Sequence, residues 1–225
     1  MKLSIIMPVY NEKNTIRVIL DKILPLDLYK EIIIVDDFST DGTREILREL
    51  KTENIQVIYH EKNMGKGSAI RTGINYASGE YMVVQDADLE YEPAEYENLL
   101  KPILEGTAKV VYGSRFMGKR KSMYTLHFWG NKFLTLAANI LYGSKLTDME
   151  TCYKMIPLSL AREINHRANG FEFDPEITAK ILKRSIKIHE VPISYKGREF
   201  HEGKKISWKD GIKHLWTLLK YKIID

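Results

Sequence analysis

Two aspartates, Asp86 and Asp88, stand one residue apart directly after an apolar run at 81–84. The β-branched and aromatic residues of this run predict a buried strand, so both carboxylates should emerge at its carboxyl end. Alternate residues of an extended segment point to the same side, where two carboxylates repel each other unless a cation lies between them. The pattern predicts a site for Mg²⁺ or Mn²⁺, while two solvated aspartates in a turn are the simpler alternative.

Four further polar clusters follow predicted strands in the same way. They lie at 10–12, 36–42, 63–68 and 113–115, after strands predicted at 3–9, 31–35, 55–59 and 109–112. Apolar residues at helical spacing separate the strands. Strands that alternate with helices predict an α/β fold with a mostly parallel sheet covered on both faces. All five clusters are therefore expected along one edge of the sheet, where open sheets of this class bind their ligands.

The composition is that of one large domain, or of one domain with an appendage, with 225 residues and a net charge of +4. The basic residues gather late, at 119–121, Arg198, Lys204, Lys205, Lys209, Lys213, Lys220 and Lys222. This mild, localised excess indicates an anionic ligand or surface, since nucleic acid would require a denser basic stripe. Cys152 is the single cysteine, which excludes an internal disulfide and a thiolate zinc site and fits a reducing compartment.

The first residues run straight into a predicted strand, without a separate apolar signal region. No stretch has the length and apolar character of a transmembrane helix, since the nearest one, 123–142, is interrupted by four polar residues. These features predict a cytoplasmic protein. Residues 65–68 imitate a phosphate loop, but His60 stands where that loop needs its first glycine, and no Gly-x-Ser-x-Gly hydrolase motif is present.

Four ordered motifs resemble those of the family 2 glycosyltransferases. They are Pro-Val-Tyr-Asn-Glu at 8–12, Val-Asp-Asp-Phe-Ser-Thr-Asp-Gly-Thr at 35–43, the glycine-rich segment 63–73 and Gln-Asp-Ala-Asp at 85–88. More narrowly, the chain resembles the dolichol-phosphate mannose synthase branch, which makes polyprenyl-phosphate sugars. The resemblance implies a GT-A fold over residues 1–200, a nucleotide-diphosphate-sugar donor, a divalent cation and inversion at the anomeric carbon.

The resemblance also implies roles for individual residues. The residues expected to line the nucleoside pocket are Pro8, Tyr10, Glu12, Val35 and Asp37, with Asp37 bonded to the base. The residues expected along the rest of the donor are Lys66, Asp86, Ala87, Asp88 and Arg115. Separately from the resemblance, Arg198 lies in a basic loop with Lys204 and Lys205 and is expected to contact the donor or the acceptor. Asp86 and Asp88 would bind the cation, with Glu90 as the candidate third ligand. Arg115 matches a family arginine that meets phosphates, although it could instead pair with an acidic loop.

The acceptor decides whether a general base is needed. Departure of a nucleoside diphosphate develops negative charge on the bridging oxygen, which a Lewis-acidic cation neutralises. A lipid phosphate is mostly dianionic at neutral pH and needs cationic docking, whereas a hydroxyl needs a positioned carboxylate. Asp148 and Glu150 are the candidates for that carboxylate, and Asp148 joins Asp88 and Arg115 as a predicted catalytic residue. Cys152 stands where the corresponding family motif usually has glycine.

Two late segments favour the lipid acceptor. The segment 123–142 is rich in aromatic residues and leucine, and from 207 onward apolar residues form one helical stripe with lysines around it. That stripe comprises Trp208, Ile212, Leu215, Trp216, Leu219 and Ile223. Aromatic anchors and lysines suit a lipid headgroup layer, but such a helix can equally pack on its own domain or on a second subunit. Residues 201–225 are thus expected to form a basic amphipathic C-terminal helix.

Together these features predict a peripheral enzyme on the cytoplasmic face of a membrane that moves mannose from GDP-mannose to a polyprenyl phosphate. Transfer to a hydroxyl of a glycan keeps the same donor chemistry and remains an alternative. A non-catalytic sugar-nucleotide-binding subunit with a membrane partner is the other alternative. A nucleic-acid partner is not expected, and the oligomeric state is open.

Overall fold

The computed structural model describes residues 1–121, 125–198 and 208–224, without the side chains of 120–127 and Trp208. The predicted basic residues Lys204 and Lys205 lie outside the described residues. Within them, seven strands form one mixed sheet: β1 (Leu3–Val9), β2 (Lys30–Asp36), β3 (Ile55–Tyr59), β4 (Tyr81–Val84), β5 (Val110–Ser114), β7 (Lys154–Pro157) and β8 (Ile188–Pro192). The short strands β6 (Arg120–Lys121) and β9 (Tyr195–Lys196) pair with each other.

Eight α-helices are described around the sheet: α1 (Ile16–Ile23), α2 (Thr43–Arg48), α3 (Lys66–Tyr76), α4 (Tyr96–Leu104), α5 (Thr125–Tyr142), α6 (Leu158–Ile164), α7 (Phe173–Lys183) and α8 (Trp208–Ile223). A short 3-10 helix, Pro93–Glu95, precedes α4. In α1 the apolar residues recur every three or four positions, and these are the residues that it buries.

The strand order is β3-β2-β1-β4-β7-β5-β8. Strands β1, β2, β3 and β4 pair in parallel, as predicted, so their carboxyl ends share one edge. The mostly parallel α/β sheet predicted from the alternation of strands and helices is therefore confirmed.

Strand β7 is the exception, since it lies antiparallel between β4 and β5. An antiparallel strand begins at the edge where its parallel neighbours end. The residues just before β7, which include the predicted candidate bases Asp148 and Glu150, therefore reach the same edge as Asp86 and Asp88.

Helices α5 and α8 pack beside each other and over α7. The hydroxyl of Tyr142 at the end of α5 donates a hydrogen bond to the carbonyl of Leu218 in α8, at 2.7 Å. On the inner side of α8, His214, Leu218 and Tyr221 are buried. Among the described residues, no helix combines the length and apolar character that crossing a bilayer requires.

Candidate active site

One cavity of about 380 Å³ opens at the edge of the sheet where the polar clusters converge. The predicted site residues that line it are Pro8, Tyr10, Glu12, Asp37, Lys66, Asp86, Ala87, Asp88, Glu90, Arg115, Glu150 and Arg198. They come from the end of β1, from the segments after β1, β2, β3, β4 and β5, from the segment before β7 and from the segment after β9. The topology thus gathers residues that are far apart in sequence, as the prediction for a parallel sheet required.

Three non-glycine residues with left-handed backbone lie along these loops. Asn11, Phe38 and Leu89 have φ values of 54°, 67° and 63°, and each directly follows a residue that lines the cavity. Such a conformation costs on the order of 1–3 kcal/mol and persists where surrounding contacts impose it. Here the side-chain oxygen of Asn11 accepts the N–H of Thr40 at 2.8 Å, which ties the β1 loop to the β2 loop.

The glycine-rich segment allows α3 to press against residues 166–170. A Cβ atom on Gly65 would lie 2.3 Å from the carbonyl oxygen of Asn169, and one on Gly67 would lie 2.6 Å from that of Ala168. Gly65 also has a φ of +92°. Helix α3 begins at Lys66, directly after Gly65, and Lys66 Nζ lies 2.7 Å from the carboxylate of Asp86.

Asp37 holds the loop that carries Lys66. Its Oδ1 accepts the N–H of Met64 at 2.8 Å, its Oδ2 accepts the N–H of Gly65 at 2.7 Å, and Nδ1 of His60 lies 2.8 Å from Oδ1. The carboxylate lines the cavity, so contact with a base stays a prediction. Val35 does not lie where it was predicted, in the lining of the nucleoside pocket, because its side chain is wholly buried in the hydrophobic core and does not line the cavity.

Acidic side chains crowd the loop after β4. Burial, together with the negative charges of Asp86 and Glu90, raises the pKa of Asp88 to about 8. A carboxylate whose ionised form is this unfavourable is stabilised by a cation, so Asp86 and Asp88 fit an ion such as Mg²⁺ or Mn²⁺ that completes its shell with substrate phosphates.

Glu90 does not fit as a third metal ligand. Its Oε1 accepts the backbone N–H of Arg198 and its Oε2 accepts the hydroxyl of Tyr195, both at 2.7 Å. Among the described residues, no three His, Cys, Asp or Glu side chains form a cluster able to hold a metal ion. Glu90 instead anchors the segment that carries Arg198.

Arg198 joins the β1 loop to the β4 loop. Its Nη2 lies 2.8 Å from Oε2 of Glu12, and its Nε donates to the carbonyl of Asp88 at 2.7 Å. Burial opposes the charge of Arg198, but the hydrogen bonds to Glu12 and the negative charge of Asp88 raise its pKa. The guanidinium therefore remains charged at the rim of the cavity.

Asp148 does not act as a base in this arrangement. Its side chain is fully buried, it does not line the cavity, and both of its oxygens contact the guanidinium of Arg115. Arg115 lines the cavity and pairs with Asp148, so the expected ion pair is present and contact of Arg115 with a ligand stays a prediction. Burial alone would lower the pKa of Arg115, but the charge of Asp148 raises it.

Several lining residues were not predicted as site residues from the sequence. They are Asn63, Ala69, Tyr91, Asn131, Phe171, Asp174 and Tyr195. Tyr91 and Tyr195 pack edge to face with ring centres 5.4 Å apart, and Asp174 pairs with the buried Lys154. Asn63 could have been found, since it begins the glycine-rich motif. Asn131 could not, because nothing in its helix distinguishes it from a surface residue.

Cys152 fits the backbone where the family motif has glycine. Its φ is not in the left-handed region, so a side chain is tolerated there. Its N–H donates to the hydroxyl of Tyr91 at 3.0 Å. Burial and the nearby charge of Asp86 raise the pKa of the thiol, so Cys152 lines the cavity as an uncharged thiol.

Comparison with known proteins gives the family and the fold of the chain. The family model for glycosyl transferase family 2 matches residues 4–164. The chain is 28% identical over 240 residues to the UDP-N-acetylglucosamine–dolichyl-phosphate N-acetylglucosaminyltransferase of Methanococcus voltae, which covers 97% of this chain and 95% of that enzyme. It is 29% identical over 224 residues to the low-salt glycan biosynthesis hexosyltransferase Agl6 of Haloferax volcanii, covering 96% of this chain and 53%, about half, of that relative.

Solved structures share the fold. Glucosyl-3-phosphoglycerate synthase from Mycobacterium tuberculosis, in complex with Mn²⁺, UDP and phosphoglyceric acid, superposes with a TM-score of 0.76 at 20% identity, over 100% of this chain and 79% of that one. The same synthase has also been crystallised with Mg²⁺ and UDP. The fold is therefore that of GT-A enzymes. With the family model matching most of its length, the chain belongs to glycosyl transferase family 2.

Proposed function

We propose that this protein transfers a hexose from a nucleoside-diphosphate sugar to a polyprenyl phosphate. The observation that carries the proposal is the cavity in which Asp86 and Asp88 lie beside Lys66 and Arg115. Carboxylates for a cation and cationic groups for phosphates are the two things that departure of a diphosphate requires.

The order of the strands orients the donor. Tyr10 and Asp37 follow β1 and β2, while Asp86 and Asp88 follow β4 on the other side of β1. A nucleoside held by the first pair therefore directs its diphosphate toward the second pair. A bound Mg²⁺ or Mn²⁺ would neutralise the charge that develops on the departing diphosphate.

Lys66 and Arg115 supply the fixed positive charge. The ion pair with Asp86 holds Lys66 beside the metal-binding loop, and the pair with Asp148 holds Arg115. A phosphate oxygen of the lipid attacks the anomeric carbon from the face opposite the diphosphate. The new bond between carbon and phosphate oxygen forms as the bond to the diphosphate breaks, so the configuration inverts.

A phosphate acceptor suits the position of Asp148. A dianionic phosphate is already a nucleophile and needs no proton removed. Transfer to a glycan hydroxyl needs a carboxylate that faces the acceptor, and Asp148 faces Arg115 instead. Of the two predicted candidates for that carboxylate, Glu150 alone lines the cavity, so the choice of a lipid phosphate over a glycan hydroxyl rests on the outer faces of α5 and α8.

The outer faces of α5 and α8 support a membrane-bound acceptor. Each helix exposes large apolar residues spaced i, i+4, i+7, i+11, namely Trp129, Phe133, Leu136 and Ile140 on α5 and Ile212, Trp216, Leu219 and Ile223 on α8. We call these two rows the outer stripes. The spacing places each row along one line of its helix, opposite the buried side.

Charge favours an anionic lipid surface as the partner of the outer stripes. Exposed lysines flank the stripe of α8, with Lys209, Lys213 and Lys220 on one side and Lys222 on the other. Lysines beside an apolar face bind anionic headgroups, whereas a second copy would bring like charges together. Helix α5 also carries Asn131 to the cavity, so the membrane-facing layer borders the site.

The motifs of the sequence and the name of one relative favour different donors. The resemblance of the motifs favours GDP-mannose, and the UDP sugar in the name of the Methanococcus relative favours a UDP-hexose. The reaction is tested by supplying GDP-mannose, UDP-glucose and UDP-N-acetylglucosamine with Mn²⁺, with and without a polyprenyl phosphate. The proposal predicts a lipid-linked sugar from one nucleotide series. Sugar transferred only to a glycan hydroxyl, or no lipid-linked product from any donor, would contradict it.

A further inference from the structure

Glu150 is a largely buried carboxylate that lines the cavity. Its side chain is 5% exposed and lines the cavity, next to Cys152. Within the described part of the chain, its Oε1 has no hydrogen-bond partner. Its Oε2 lies 2.9 Å from Nδ1 of His214, a buried residue of α8. A buried acceptor left without a donor is unfavourable, so such an oxygen is expected to meet a donor on a ligand.

The sheet places Glu150 beyond the diphosphate end of the cavity. The strand order runs β2, β1, β4, β7. The predicted nucleoside contacts follow β2 and β1, the metal-binding aspartates follow β4, and Glu150 precedes the antiparallel β7. A donor that lies along this edge with its base at β2 and its diphosphate at β4 carries its sugar toward β7.

We infer that Glu150 binds the transferred hexose, with its free Oε1 accepting a hydrogen bond from a sugar hydroxyl, and that His214 is the positioning residue that holds its other oxygen. The inference rests on the proposed function and adds a specificity residue to it. Hexoses that differ in one hydroxyl would be distinguished here, because a site built to bond a hydroxyl strongly rejects an analogue that lacks it.

A role on the acceptor phosphate fits less well. A carboxylate that faced a dianionic phosphate would repel it, and a phosphate acceptor has no proton for a base to remove. If the acceptor were a hydroxyl, Glu150 would be available as its base. The two roles predict different outcomes for donor binding, which the acceptor does not affect.

The experiment compares donor binding with nucleotide binding by calorimetry. UDP-glucose and GDP-mannose are titrated into the protein with Mn²⁺, each beside its own nucleoside diphosphate. We expect Glu150→Ala to weaken binding of the sugar nucleotide about tenfold or more, and to leave binding of the nucleoside diphosphate unchanged. Unchanged diphosphate binding also shows that the variant is folded. The matched control is Glu105→Ala, at an exposed glutamate at the end of α4, for which neither affinity should change.

Donors that lack single hydroxyls identify the contact. Removal of the contacted hydroxyl should weaken binding to the wild type and cause no further loss in Glu150→Ala. His214→Gln should weaken sugar-nucleotide binding less than Glu150→Ala does, again without affecting the diphosphate. If Glu150→Ala binds the sugar nucleotide as tightly as the wild type and loses only turnover, the inference fails and a base role is favoured. If the wild type binds no sugar nucleotide at all, both the proposed function and the inference about Glu150 fail.

Discussion

The guanidinium of Arg115 and the carboxylate of Asp148 form a two-pronged ion pair, with Nε 2.7 Å from Oδ2 and Nη2 2.8 Å from Oδ1. The backbone N–H of Arg115 also donates to Oδ2, at 3.0 Å, and Glu190 holds the backbone N–H of Asp148 at 2.9 Å. A planar guanidinium held by two hydrogen bonds to one carboxylate has a fixed orientation. Asp148 thus determines where Arg115 presents its charge to the cavity.

Replacement of Asp148 by Ala is expected to reduce activity through Arg115. It leaves a buried guanidinium without its partner, which costs about 3–5 kcal/mol of stability. Activity should fall strongly in Arg115→Ala, and Asp148→Ala should add little to that loss in the double variant, because both changes remove one unit. Denaturant unfolding and initial rates of the four proteins test this. Additive losses of activity would mean that Asp148 has a separate catalytic role.

Replacement of Asp88 by Asn should abolish the stabilisation of the protein by divalent cations. Asp88 lies beside two other carboxylates, so the neutral amide removes repulsion and the metal-free variant should melt no lower than the wild type. Addition of Mn²⁺ with a nucleoside diphosphate should raise the melting temperature of the wild type only. Asp21→Asn, at an exposed aspartate on α1, serves as the control and should behave like the wild type. An equal shift in Asp88→Asn would overturn the assignment of the metal ligands.

The pH dependence of stability should reflect the protonation of His214. Burial would lower its pKa, but the charges of Glu150, Asp174 and Asp210 raise it. A histidine with a raised pKa stabilises the fold below its unfolded pKa of about 6.5, and this contribution is lost as pH rises through the folded pKa. Wild type should therefore exceed His214→Gln by about 2–4 °C in melting temperature near pH 6, corresponding to about 1 kcal/mol. The difference should shrink toward pH 9. A constant difference across this range would contradict the ion pair with Glu150.

The outer stripes should bind lipid. Replacing Trp129 and Trp216 with Ser removes two large apolar side chains and should reduce binding to vesicles of phosphatidylglycerol by about tenfold or more. Binding should weaken with salt, and neutral phosphatidylcholine vesicles should bind less. Tyr29→Ser removes an aromatic residue that is 72% exposed outside both stripes and serves as the control. A stable dimer of the wild type that the tryptophan variant loses would identify a second copy as the partner instead.

The sequence predicted the parallel part of the sheet because each strand there is an apolar run that ends in a polar loop. The ends of β1 and β3 agree with the predicted bounds to the residue. Strand β7 was missed because it has four residues, all buried, and carries the charged Lys154, so it shows no alternation. Its antiparallel course could not be read from the sequence either, so the sequence named Glu150 as a candidate carboxylate but not the strand that brings it to the cavity.

Partner choice among charged residues could not be read from the sequence. Arg115 and Asp148 are 33 positions apart, and Glu12 and Arg198 are 186 positions apart. Only the fold decides that these groups meet each other. Val35 shows the same limit from the apolar side, since the motif names the residue but not whether its side chain faces the cavity or the core.

The most direct test measures transfer of a radiolabelled hexose from its nucleotide to polyprenyl phosphate by the wild type and by Asp88→Asn, with and without Mn²⁺. We expect lipid-extractable product, inverted at the anomeric carbon, from the wild type with Mn²⁺, and almost none without the ion or from the variant. Equal product from Asp88→Asn, or from the wild type after complete removal of divalent ions, would contradict the claim that Asp86 and Asp88 hold the cation on which the diphosphate departs.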